Sequence, residues 1–564
     1  MPANEPPYTV TDYLLDRLAE AGVDRLFGVP GDFTLGLLDY VERHTTVDWV
    51  GCANELGAGY AADGYARIRG LGAVCTTFGV GELSAINAIA GSYAEHVPVI
   101  HLVGAPTIAT QAAGRATHHS LGDGDFRHFA RMTSEVTCAQ GSLTVDNATD
   151  EIDRVIAEAI ERRLPGYLLL PADVAAAPSS PPASGLPQHS GVTNAQALAD
   201  FRDAASELLG DTGTVAVLAD ILIQRMGAQA SLDALLAHDL PHATLLWGRR
   251  VVDESSPSYL GTYVGAVSTP IVKEGIEDAD ALIMAGVQFT DLTSGFFSQR
   301  LREDHTIDVG PRSSRVGAHT YAPLALADAL DALTELIASR EAAVAIAAPP
   351  TTTRRPVASP YPLDGRPLDQ NTLWDLVAAH LRPGDLVLAD QGTSFYGMGN
   401  HELPHDVIFI GQPLWAAIGY TLPAGLGGAL ADRSRRPIVL IGDGAAQLTI
   451  AELGTMLRHR IPALILIVNN AGYTVERAIH GADKPYNDIA AWDWAALASA
   501  LGPSAEARAM TARTAEELDA ALTTAGESPQ RLTLIEAIVP ALDVPPLLAA
   551  LAKQASAANA AARA

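Results

Sequence analysis

The sequence predicts an α/β fold made of three doubly wound domains with parallel sheets. The chain has 564 residues, which is too many for one hydrophobic core and suggests three to four domains. Short apolar runs alternate with longer helical patterns throughout, as they do in βαβ units. Two proline-rich stretches, 177–191 and 348–362, have the composition of extended linkers. The predicted domains are therefore residues 1–178, 192–345 and 363–564.

Each predicted domain contains apolar runs of strand length. In the first domain the predicted strands are 26–29, 50–53, 74–78, 99–103 and 167–170. In the middle domain they are 215–219 and 281–286, and in the third they are 386–389, 407–410, 438–441, 463–468 and 532–538. Residues 547–564 are rich in alanine and predict a C-terminal helix with a frayed end.

Composition and charge exclude several classes of protein. Hydrophobic residues make up 48% of the chain and charged residues 18%, as in a globular protein and not a disordered one. The formal net charge of −28 would repel nucleic acid and anionic membranes, so neither is expected as a partner. The three cysteines are far apart and odd in number, which does not suggest a disulfide framework. With no signal segment or spanning segment in the sequence, a cytoplasmic location is expected.

The LIGDG stretch at 440–444 predicts a site for a diphosphate and a metal. An apolar strand delivers Asp443 to its carboxyl end, where the flanking glycines let the backbone approach a ligand closely. A helical segment, 448–457, and a second apolar strand, 463–468, then carry Asn470 to the same sheet edge. A carboxylate and an amide oxygen, with diphosphate oxygens, a carbonyl and water, make the octahedral site that suits Mg²⁺. A GDG tripeptide alone is also an ordinary turn, so the prediction depends on the whole pattern.

This arrangement of strand, helix and strand resembles the cofactor motif of thiamine diphosphate enzymes. The strings QPLW at 412–415 and NAGYTVE at 470–476 are similar to the 2-keto acid decarboxylase branch, which includes pyruvate, indolepyruvate and branched-chain keto acid decarboxylases. The resemblance runs from residue 8 to 544. It implies thiamine diphosphate and Mg²⁺ as cofactors, and an N-terminal pyrimidine-binding, a central and a C-terminal diphosphate-binding domain. The implied reaction is the non-oxidative decarboxylation of a 2-keto acid to an aldehyde and CO₂.

Glu55 follows an apolar strand and begins the string ELGAGYAADGYAR. An isolated glutamate in the first turn of a helix is most often a carboxylate that interacts with the helix dipole. The whole string, however, resembles the family's glutamate motif. The resemblance implies that Glu55 contacts the aminopyrimidine ring of the cofactor and favours its imino tautomer.

The string THHSLGDGDF at 117–126 contains a pair of histidines, His118 and His119. A histidine pair in a loop is commonly solvated, but this one resembles the paired histidines of keto acid decarboxylases. The resemblance implies that they bind the substrate carboxylate and manage protons after CO₂ leaves. It also implies that Asp32 is a proton-transfer carboxylate beside the histidines. From the sequence alone, Asp32 could instead be the N-cap of a helix. Glu476 is expected to be a buried acid of raised pKa in the same cavity.

Further positions concern the shape of the cofactor and its contacts. Ile418 matches the bulky apolar residue that holds the cofactor in its bent form, and Ala416 offers a backbone carbonyl to the aminopyrimidine. The resemblance implies metal ligation by Asp443, Asn470 and Gly472. The remaining residues that it places against the cofactor are Gly392, Thr393, Gly442, Gly444, Ala445 and Tyr473.

The substrate pocket is the least specified part of the resemblance. Its expected wall residues are Gln391, Phe395, Tyr396, Val475 and Ile479. Pyruvate-preferring relatives often carry isoleucine where Val475 stands, and one methylene fewer changes discrimination by about 1 to 3 kcal/mol. Bulky branched-chain or aromatic keto acids are therefore expected as substrates, as well as or instead of pyruvate. Asp390 departs from the glutamate that is usual in the family.

Glu55 and Asp443 fall in different domains, and in the resembled family they come from different subunits. A homodimer is therefore the expected minimum unit, and a homotetramer the expected assembly. Two alternatives stay open: a carboligating relative such as acetolactate synthase, and a catalytically silent paralogue that only binds the cofactor. The paired histidines disfavour the first alternative, and retention of Glu55 disfavours the second.

Overall fold

The computed structural model describes residues 7–187, 193–210, 212–341, 365–502 and 507–561. It contains three sheets, one in each predicted domain, which confirms the α/β fold class. The linker predicted at 348–362 lies outside the described residues, as do the predicted domain limits at 192, 345 and 363. Within the described residues, no helix is long and apolar enough to cross a membrane.

The first domain has a six-stranded parallel sheet in the order β2-β1-β3-β4-β6-β5. Its strands are β1 (Arg25–Gly28), β2 (Asp48–Gly51), β3 (Gly72–Thr77), β4 (Val99–Ala105), β5 (Ala139–Ser142) and β6 (Gly166–Pro171). Its helices are α1 (Val10–Glu20), α2 (Leu35–Arg43), α3 (Glu55–Arg69), α4 (Val80–Ala94), α5 (Ile108–Ala112), α6 (His128–Thr133), α7 (Ala148–Arg162) and α8 (Ala172–Ala175).

The middle domain has a seven-stranded sheet in the order β13-β12-β11-β10-β7-β8-β9. Its strands are β7 (Val215–Ala219), β8 (His242–Thr244), β9 (Tyr259–Thr262), β10 (Ala281–Ala285), β11 (Thr306–Val309), β12 (Ser314–Val316) and β13 (His319–Tyr321). Its helices are α9 (Ala195–Gly210), α10 (Leu222–Arg225), α11 (Gln229–Leu236), α12 (Pro270–Glu277) and α13 (Leu326–Glu341). The pairings of β11 with β12 and of β12 with β13 are antiparallel, so this sheet is mixed and not wholly parallel as predicted.

The third domain has a six-stranded parallel sheet in the order β15-β14-β16-β17-β19-β18. Its strands are β14 (Leu386–Ala389), β15 (Ile408–Ile410), β16 (Pro437–Gly442), β17 (Leu464–Asn469), β18 (Ala507–Ala512) and β19 (Leu532–Ile538). Its helices are α14 (Gln370–His380), α15 (Thr393–Met398), α16 (Thr421–Ala431), α17 (Asp443–Thr449), α18 (Glu452–Arg458), α19 (Thr474–His480), α20 (Trp494–Ala500), α21 (Ala515–Glu527) and α22 (Pro546–Ala561). Counted along the chain, the order is 2-1-3-4-6-5 in both the first and the third domain.

The strands that the sequence did not predict are short or lie at sheet edges. β5 and β18 are edge strands, and neither contains more than one strongly apolar residue, so their patterns resemble loops. β8, β9, β11, β12 and β13 are only three or four residues long. The predicted strands of the first and third domains are all present, each within two residues of its predicted limits.

The first and third domains share one hydrophobic core. Buried residues of α3, such as Tyr60, and of α16, such as Ala424, belong to the same apolar cluster. The two helices pack with their backbones in contact, since a Cβ on Gly64 would lie 2.2 Å from the Ala424 carbonyl oxygen. Small residues in α3 are therefore required by the packing between domains.

Candidate active site

The carboxyl ends of β14, β16 and β17 form one edge of the third domain's sheet. β14 pairs with β15 on one side and with β16 on the other, so the order of the strands reverses between β14 and β16. Ligands of open α/β sheets bind outside the carboxyl ends of strands at such a reversal. Gln391 follows β14, Asp443 follows β16 and Asn470 follows β17, which places these three residues at that edge.

Asp443 is the first residue of α17 and is 3% exposed. Its Oδ1 accepts a hydrogen bond from the Gly444 amide at 2.8 Å, and its Oδ2 accepts one from the Gly472 amide at 3.2 Å. Burial raises the pKa of this carboxyl group to about 6. A buried carboxylate of this kind is stabilised by a cation, because two amide donors do not replace full hydration.

The Asn470 side-chain amide turns one of its terminal atoms toward two oxygens. That atom lies 2.7 Å from the Gly472 carbonyl oxygen and 3.2 Å from Asp443 Oδ1, and the other lies 3.1 Å from the Thr474 hydroxyl. Without a cation, the amide nitrogen satisfies both oxygens. In the opposite orientation the amide oxygen would face inward and could bind a cation, and the Thr474 hydroxyl, which donates to the Ala541 carbonyl at 2.8 Å, could accept from the amide nitrogen.

The predicted metal ligands therefore present three oxygens that converge from two segments, the start of α17 and the loop between β17 and α19. They are a carboxylate at Asp443, a side-chain amide at Asn470 and a carbonyl at Gly472, a set of hard donors that fits Mg²⁺ with room for diphosphate oxygens and water. Gly472 has φ +133°, and a Cβ there would lie 2.1 Å from the Asn487 carbonyl oxygen. Only glycine can present its carbonyl at this position.

Gln391 and α15 form a wall beside this edge. The Gln391 Nε2 donates to the Tyr396 hydroxyl at 2.9 Å, while the Gln391 Oε1 is buried without a protein partner. Phe395 and Tyr396 are 1% and 3% exposed. A Cβ on Gly392 would lie 3.9 Å from Val475, which brings α19 to the same wall, whereas Ile479 lies half-buried one turn further along α19.

Asp390 holds the loop that presents Ala416 and Ile418. Its carboxylate accepts hydrogen bonds from the Gly419 amide at 3.1 Å and from the Thr421 amide and hydroxyl at 3.1 and 2.7 Å. Burial raises the pKa of Asp390 to about 6. Ala416 has φ +56°, a left-handed conformation that is unfavourable for alanine and must be held by its surroundings. Asp390 is therefore a positioning residue for this loop. The sequence showed only that it departs from the family's usual glutamate and gave it no role.

The first domain presents its own set of polar residues at the corresponding sheet edge. Asp32 follows β1, Glu55 follows β2 and Glu82 follows β3. The Asp32 Oδ2 lies 2.6 Å from His118 Nε2, and the Asp32 Oδ1 lies 3.9 Å from His119 Nε2. Among the described residues, these three side chains form a second group, besides the Asp443 site, whose oxygen and nitrogen atoms lie close enough together to hold a metal ion.

The histidine pair is held by the residues around it. The His118 ring stacks on Phe33 with ring centroids 5.0 Å apart, and the His119 ring meets His118 edge to face at 4.6 Å. His119 has φ +64°, and its carbonyl oxygen lies against Gly79, where a Cβ would approach to 1.9 Å. The turn before α4 therefore supports the backbone that carries the two imidazoles.

Glu55 begins α3, and a third-domain carboxylate fixes the start of that helix. The Glu55 Oε1 lies 3.3 Å from the position of a Cβ on Gly81. The Asn54 side chain caps the helix by accepting from the Gly57 amide at 2.7 Å. Glu452 is fully buried and accepts from the Ala53 amide at 3.0 Å. Sequence patterns did not reveal Glu452, because its partner is 399 residues away.

The expectation that Glu476 is a buried acid is wrong for the single chain, in which its side chain is exposed. In α19 the buried positions are Thr474 and Arg477, which lie on one face. Arg477 is buried because its guanidinium donates to the Asn470 carbonyl at 3.1 Å and to the Ala471 carbonyl at 2.8 Å. Glu476 therefore points away from this face.

Comparison with known proteins agrees with this architecture. The family model described as thiamine pyrophosphate enzyme, N-terminal TPP binding domain, matches residues 8–127; the central-domain model matches 202–336, and the C-terminal TPP binding domain model matches 396–537. An alpha-keto-acid decarboxylase of Mycolicibacterium paratuberculosis is 53% identical over 558 residues, which cover 98% of each chain. One of Mycobacterium tuberculosis strain H37Rv is 54% identical over 550 residues, which cover 97% of each chain.

A solved structure supports the fold independently. The thiamine diphosphate-dependent 4-hydroxybenzoylformate decarboxylase of Rhodococcus jostii RHA1 has a TM-score of 0.76 to this chain at 21% sequence identity. The match covers 94% of this chain and 99% of that one. At this identity the likeness shows a common three-domain fold.

Proposed function

This chain belongs to the thiamine pyrophosphate enzymes, and we propose that bulky 2-keto acids are among the substrates that it decarboxylates. The reaction of its alpha-keto-acid decarboxylase branch is the non-oxidative release of CO₂ from a 2-keto acid, which leaves an aldehyde. Thiamine diphosphate and Mg²⁺ are the cofactors. The converging oxygens of Asp443, Asn470 and Gly472 are the observation that carries the assignment of the site.

The chemistry that bound thiamine diphosphate supplies is a nucleophilic carbon and an acceptor for the electrons released with CO₂. In this proposal Asp443, Asn470 and the Gly472 carbonyl hold the metal and the diphosphate. Ile418 and the Ala416 carbonyl orient the cofactor rings. Glu55 is proposed to contact the aminopyrimidine, where a carboxylate can exchange a proton with the ring.

Asp32, His118 and His119 are proposed to bind the substrate carboxylate and to protonate the product. The 2.6 Å contact between Asp32 and His118 orients the imidazole. An imidazolium attracts the carboxylate of an incoming keto acid and can later donate its proton. Glu476, which is exposed in the single chain, could join this group only if a second subunit covers it.

The preference for bulky substrates is proposed from the wall formed by Gln391, Tyr396 and Val475. Valine leaves more space than isoleucine beside Gly392, and the buried Gln391 Oε1 is free to accept from a group in the pocket. Phe395 and Tyr396 are 1% and 3% exposed and support this wall, since the Tyr396 hydroxyl accepts from Gln391.

We propose that a homodimer is the minimum active unit and that two such dimers form a homotetramer. In the dimer, each site is completed by the partner chain. One exposed surface suits this role: Val80 (53% exposed) and Asn87 on α4, Trp415 (39%) and Leu448 (51%). These residues are contiguous, since the Trp415 Nε1 donates to Asn87 at 2.9 Å and Leu448 packs beside Gly419 of the same loop. Large exposed apolar side chains in one patch are typical of protein interfaces.

The deciding experiment is a panel of 2-keto acids, from pyruvate to branched-chain and aromatic members, incubated with the protein, thiamine diphosphate and Mg²⁺. The aldehydes are identified and kcat/KM is measured for each. Aldehyde release from the larger members supports the proposal. A wide preference for pyruvate would contradict the pocket argument, and absence of CO₂ release from the whole panel would contradict the function.

A further inference from the structure

A buried ion pair of the middle domain contacts the end of the pocket helix α15. Arg249 follows β8, and its side chain is 2% exposed, while that of Glu254 is 1% exposed. The guanidinium donates to both carboxylate oxygens, from Nε at 2.9 Å and from Nη2 at 2.7 Å. The two charges therefore neutralise each other inside the protein, which is the condition for burying them.

The same guanidinium binds three carbonyl oxygens of the third domain. Arg249 Nη1 donates to the Met398 carbonyl at 2.8 Å and to the Gly399 carbonyl at 3.1 Å, and Nη2 donates to the His401 carbonyl at 2.5 Å. These carbonyls belong to the last residue of α15 and to the turn after it, where carbonyls have no partner within the helix. A cation at a helix C-terminus also interacts favourably with the helix dipole.

Glu254 holds the other side of the same turn. Its Oε2 accepts a hydrogen bond from the Leu403 amide at 3.0 Å. The turn is closely packed as well, since a Cβ on Gly399 would lie 2.9 Å from Leu246 of the middle domain and 2.9 Å from Leu547 of α22. The pair thus fixes both ends of the turn that follows α15.

Movement at this turn would be transmitted to the pocket wall. α15 is only six residues long and carries both Phe395 and Tyr396. The Arg249 guanidinium lies 5.6 Å from the centroid of the Phe409 ring, and that ring stacks on Phe395 at 6.1 Å. Tyr396 accepts from Gln391, so three wall residues depend on the position of this helix.

We infer that Arg249 and Glu254 are positioning residues for the substrate pocket, through which the middle domain sets the size of keto acid that the third domain accepts. This inference rests on the proposed function, because it takes Gln391, Phe395 and Tyr396 as the pocket wall. Leu246 and Val264 of the middle domain also pack in the apolar cluster that contains Phe395 and Tyr396. The Arg249 and Glu254 pair fixes the end of α15 through charge-assisted hydrogen bonds.

The test compares Arg249→Lys with Arg17→Lys. Lysine keeps the positive charge at 249 but cannot form the planar fork that reaches Glu254 and three carbonyls. Arg17 is a matched control in the first domain: it is also 2% exposed, forks onto Asp153 at 2.7 and 2.6 Å and donates to the Ser184 carbonyl at 2.7 Å. Both variants lose a two-bond arginine fork, onto Asp153 (18% exposed) in one case and onto Glu254 (1% exposed) in the other, but only position 249 contacts α15.

We expect Arg249→Lys to change the ratio of kcat/KM between a bulky keto acid and pyruvate by roughly tenfold, mainly through KM. Hydrogen exchange should also become faster at residues 393–403. Arg17→Lys should leave the ratio and that exchange unchanged. A ratio within about twofold of the parent's in folded Arg249→Lys protein would overturn the inference.

A second variant covers the case in which Arg249→Lys does not fold. Arg249→Met with Glu254→Leu removes both buried charges together, an exchange that is often neutral for stability, yet it also removes the bonds to the three carbonyls. It should shift the ratio in the same direction. If the parent decarboxylates no keto acid, the proposed function fails, and the exchange at 393–403 alone decides whether the pair positions α15.

Discussion

The Asp443 carboxylate and the Asn470 amide show how single residues prepare a cation site. Burial raises the pKa of Asp443 to about 6, and the Asn470 amide faces two oxygens at 2.7 and 3.2 Å. A buried carboxylate is costly without a positive charge nearby, and a cation would favour both the ionised Asp443 and an inward-facing Asn470 oxygen. The site therefore gains stability when the metal binds.

Asp443→Asn should weaken Mg²⁺ binding in the presence of thiamine diphosphate by at least about 100-fold, because the one anionic protein ligand is lost. Isothermal titration calorimetry measures this directly. Asp369→Asn is a suitable control, since Asp369 caps α14 by accepting from the Thr372 amide and asparagine can do the same. Unchanged affinity in Asp443→Asn would contradict its assignment as a metal ligand.

Asp32 and His118 are predicted to act as one unit. Asp32→Asn and His118→Gln should each lower kcat, and the double variant should lower it little further, because each single change already breaks the 2.6 Å contact. Steady-state kinetics of the four proteins complete the cycle. If the two losses multiply instead, the residues act independently and the proposed proton unit is wrong.

At the scale of elements, buried carboxylates hold the starts of helices and the turns beside them. Asp390 binds the amides before and within α16, Glu452 binds the amide before α3, and Glu82 binds the Gly79 amide at 2.8 Å before α4. The first two place loops that carry site residues, and the third places the turn that lies against the His119 carbonyl oxygen. Sequence patterns predict the loops but not these anchors, since two of the three act across domains or between distant elements.

Asp390→Asn should raise the half-saturating concentration of thiamine diphosphate by about tenfold. The asparagine nitrogen would face the donors of Gly419 or Thr421, so the loop that carries Ala416 and Ile418 would lose its anchor. Titration of activity with cofactor measures the change. Thr421→Val, which removes only the 2.7 Å hydroxyl contact, should shift the value the same way by less. A normal half-saturation in Asp390→Asn would show that the loop is held by other contacts.

Glu82 makes a pH-dependent contribution at the start of α4. Burial raises its pKa from 4.5 to about 7, so the unfolded chain loses this proton first and the stability of the fold decreases as pH rises from 4.5 to 7. Glu82→Gln cannot lose a proton. Its advantage in unfolding free energy over the parent should therefore grow by up to about 3 kcal/mol between pH 5 and pH 8.

Thermal or denaturant unfolding at the two pH values measures this difference. The exposed Glu42 in α2 provides the control variant Glu42→Gln, which should show no such growth. A constant difference for Glu82→Gln across this range would mean that Glu82 is already ionised in the fold at pH 5.

At the scale of the whole molecule, two domains of the same strand order pack through a shared core, and a mixed-sheet domain lies between them in the sequence. Each of the two sheets presents one half of the candidate chemistry at its reversal point. The first-domain edge offers Asp32, Glu55 and the histidines, and the third-domain edge offers the metal ligands. Assembly of subunits would bring complementary halves together.

Leu448→Glu should convert the protein to monomers and abolish decarboxylation, because a charge at the centre of the proposed interface cannot be buried without a partner. Analytical ultracentrifugation and the CO₂ assay report the two effects. Val145→Glu alters an apolar residue that is 61% exposed outside this surface and should change neither. A fully active monomer would contradict the proposed assembly.

The sequence alone predicted the interior strands of the first and third sheets and the motifs at their carboxyl ends, including Asp443, Asn470 and Glu55. These were predictable because a buried parallel strand requires a continuous apolar run, and because the residues after it must meet at one edge. The edge strands β5 and β18 were not predicted, because a strand at the edge of a sheet can have a polar pattern that resembles a loop.

Only the tertiary structure decided which distant groups meet. It placed Glu452 at the start of α3, Asp390 against the loop of Ile418, Arg249 on the end of α15 and Glu476 at the surface. These outcomes depend on packing between domains and on which face of a short helix is buried. Local pattern determines an element and the residues at its ends, whereas these buried charges find their partners through contacts between residues 29 to 399 positions apart in the chain.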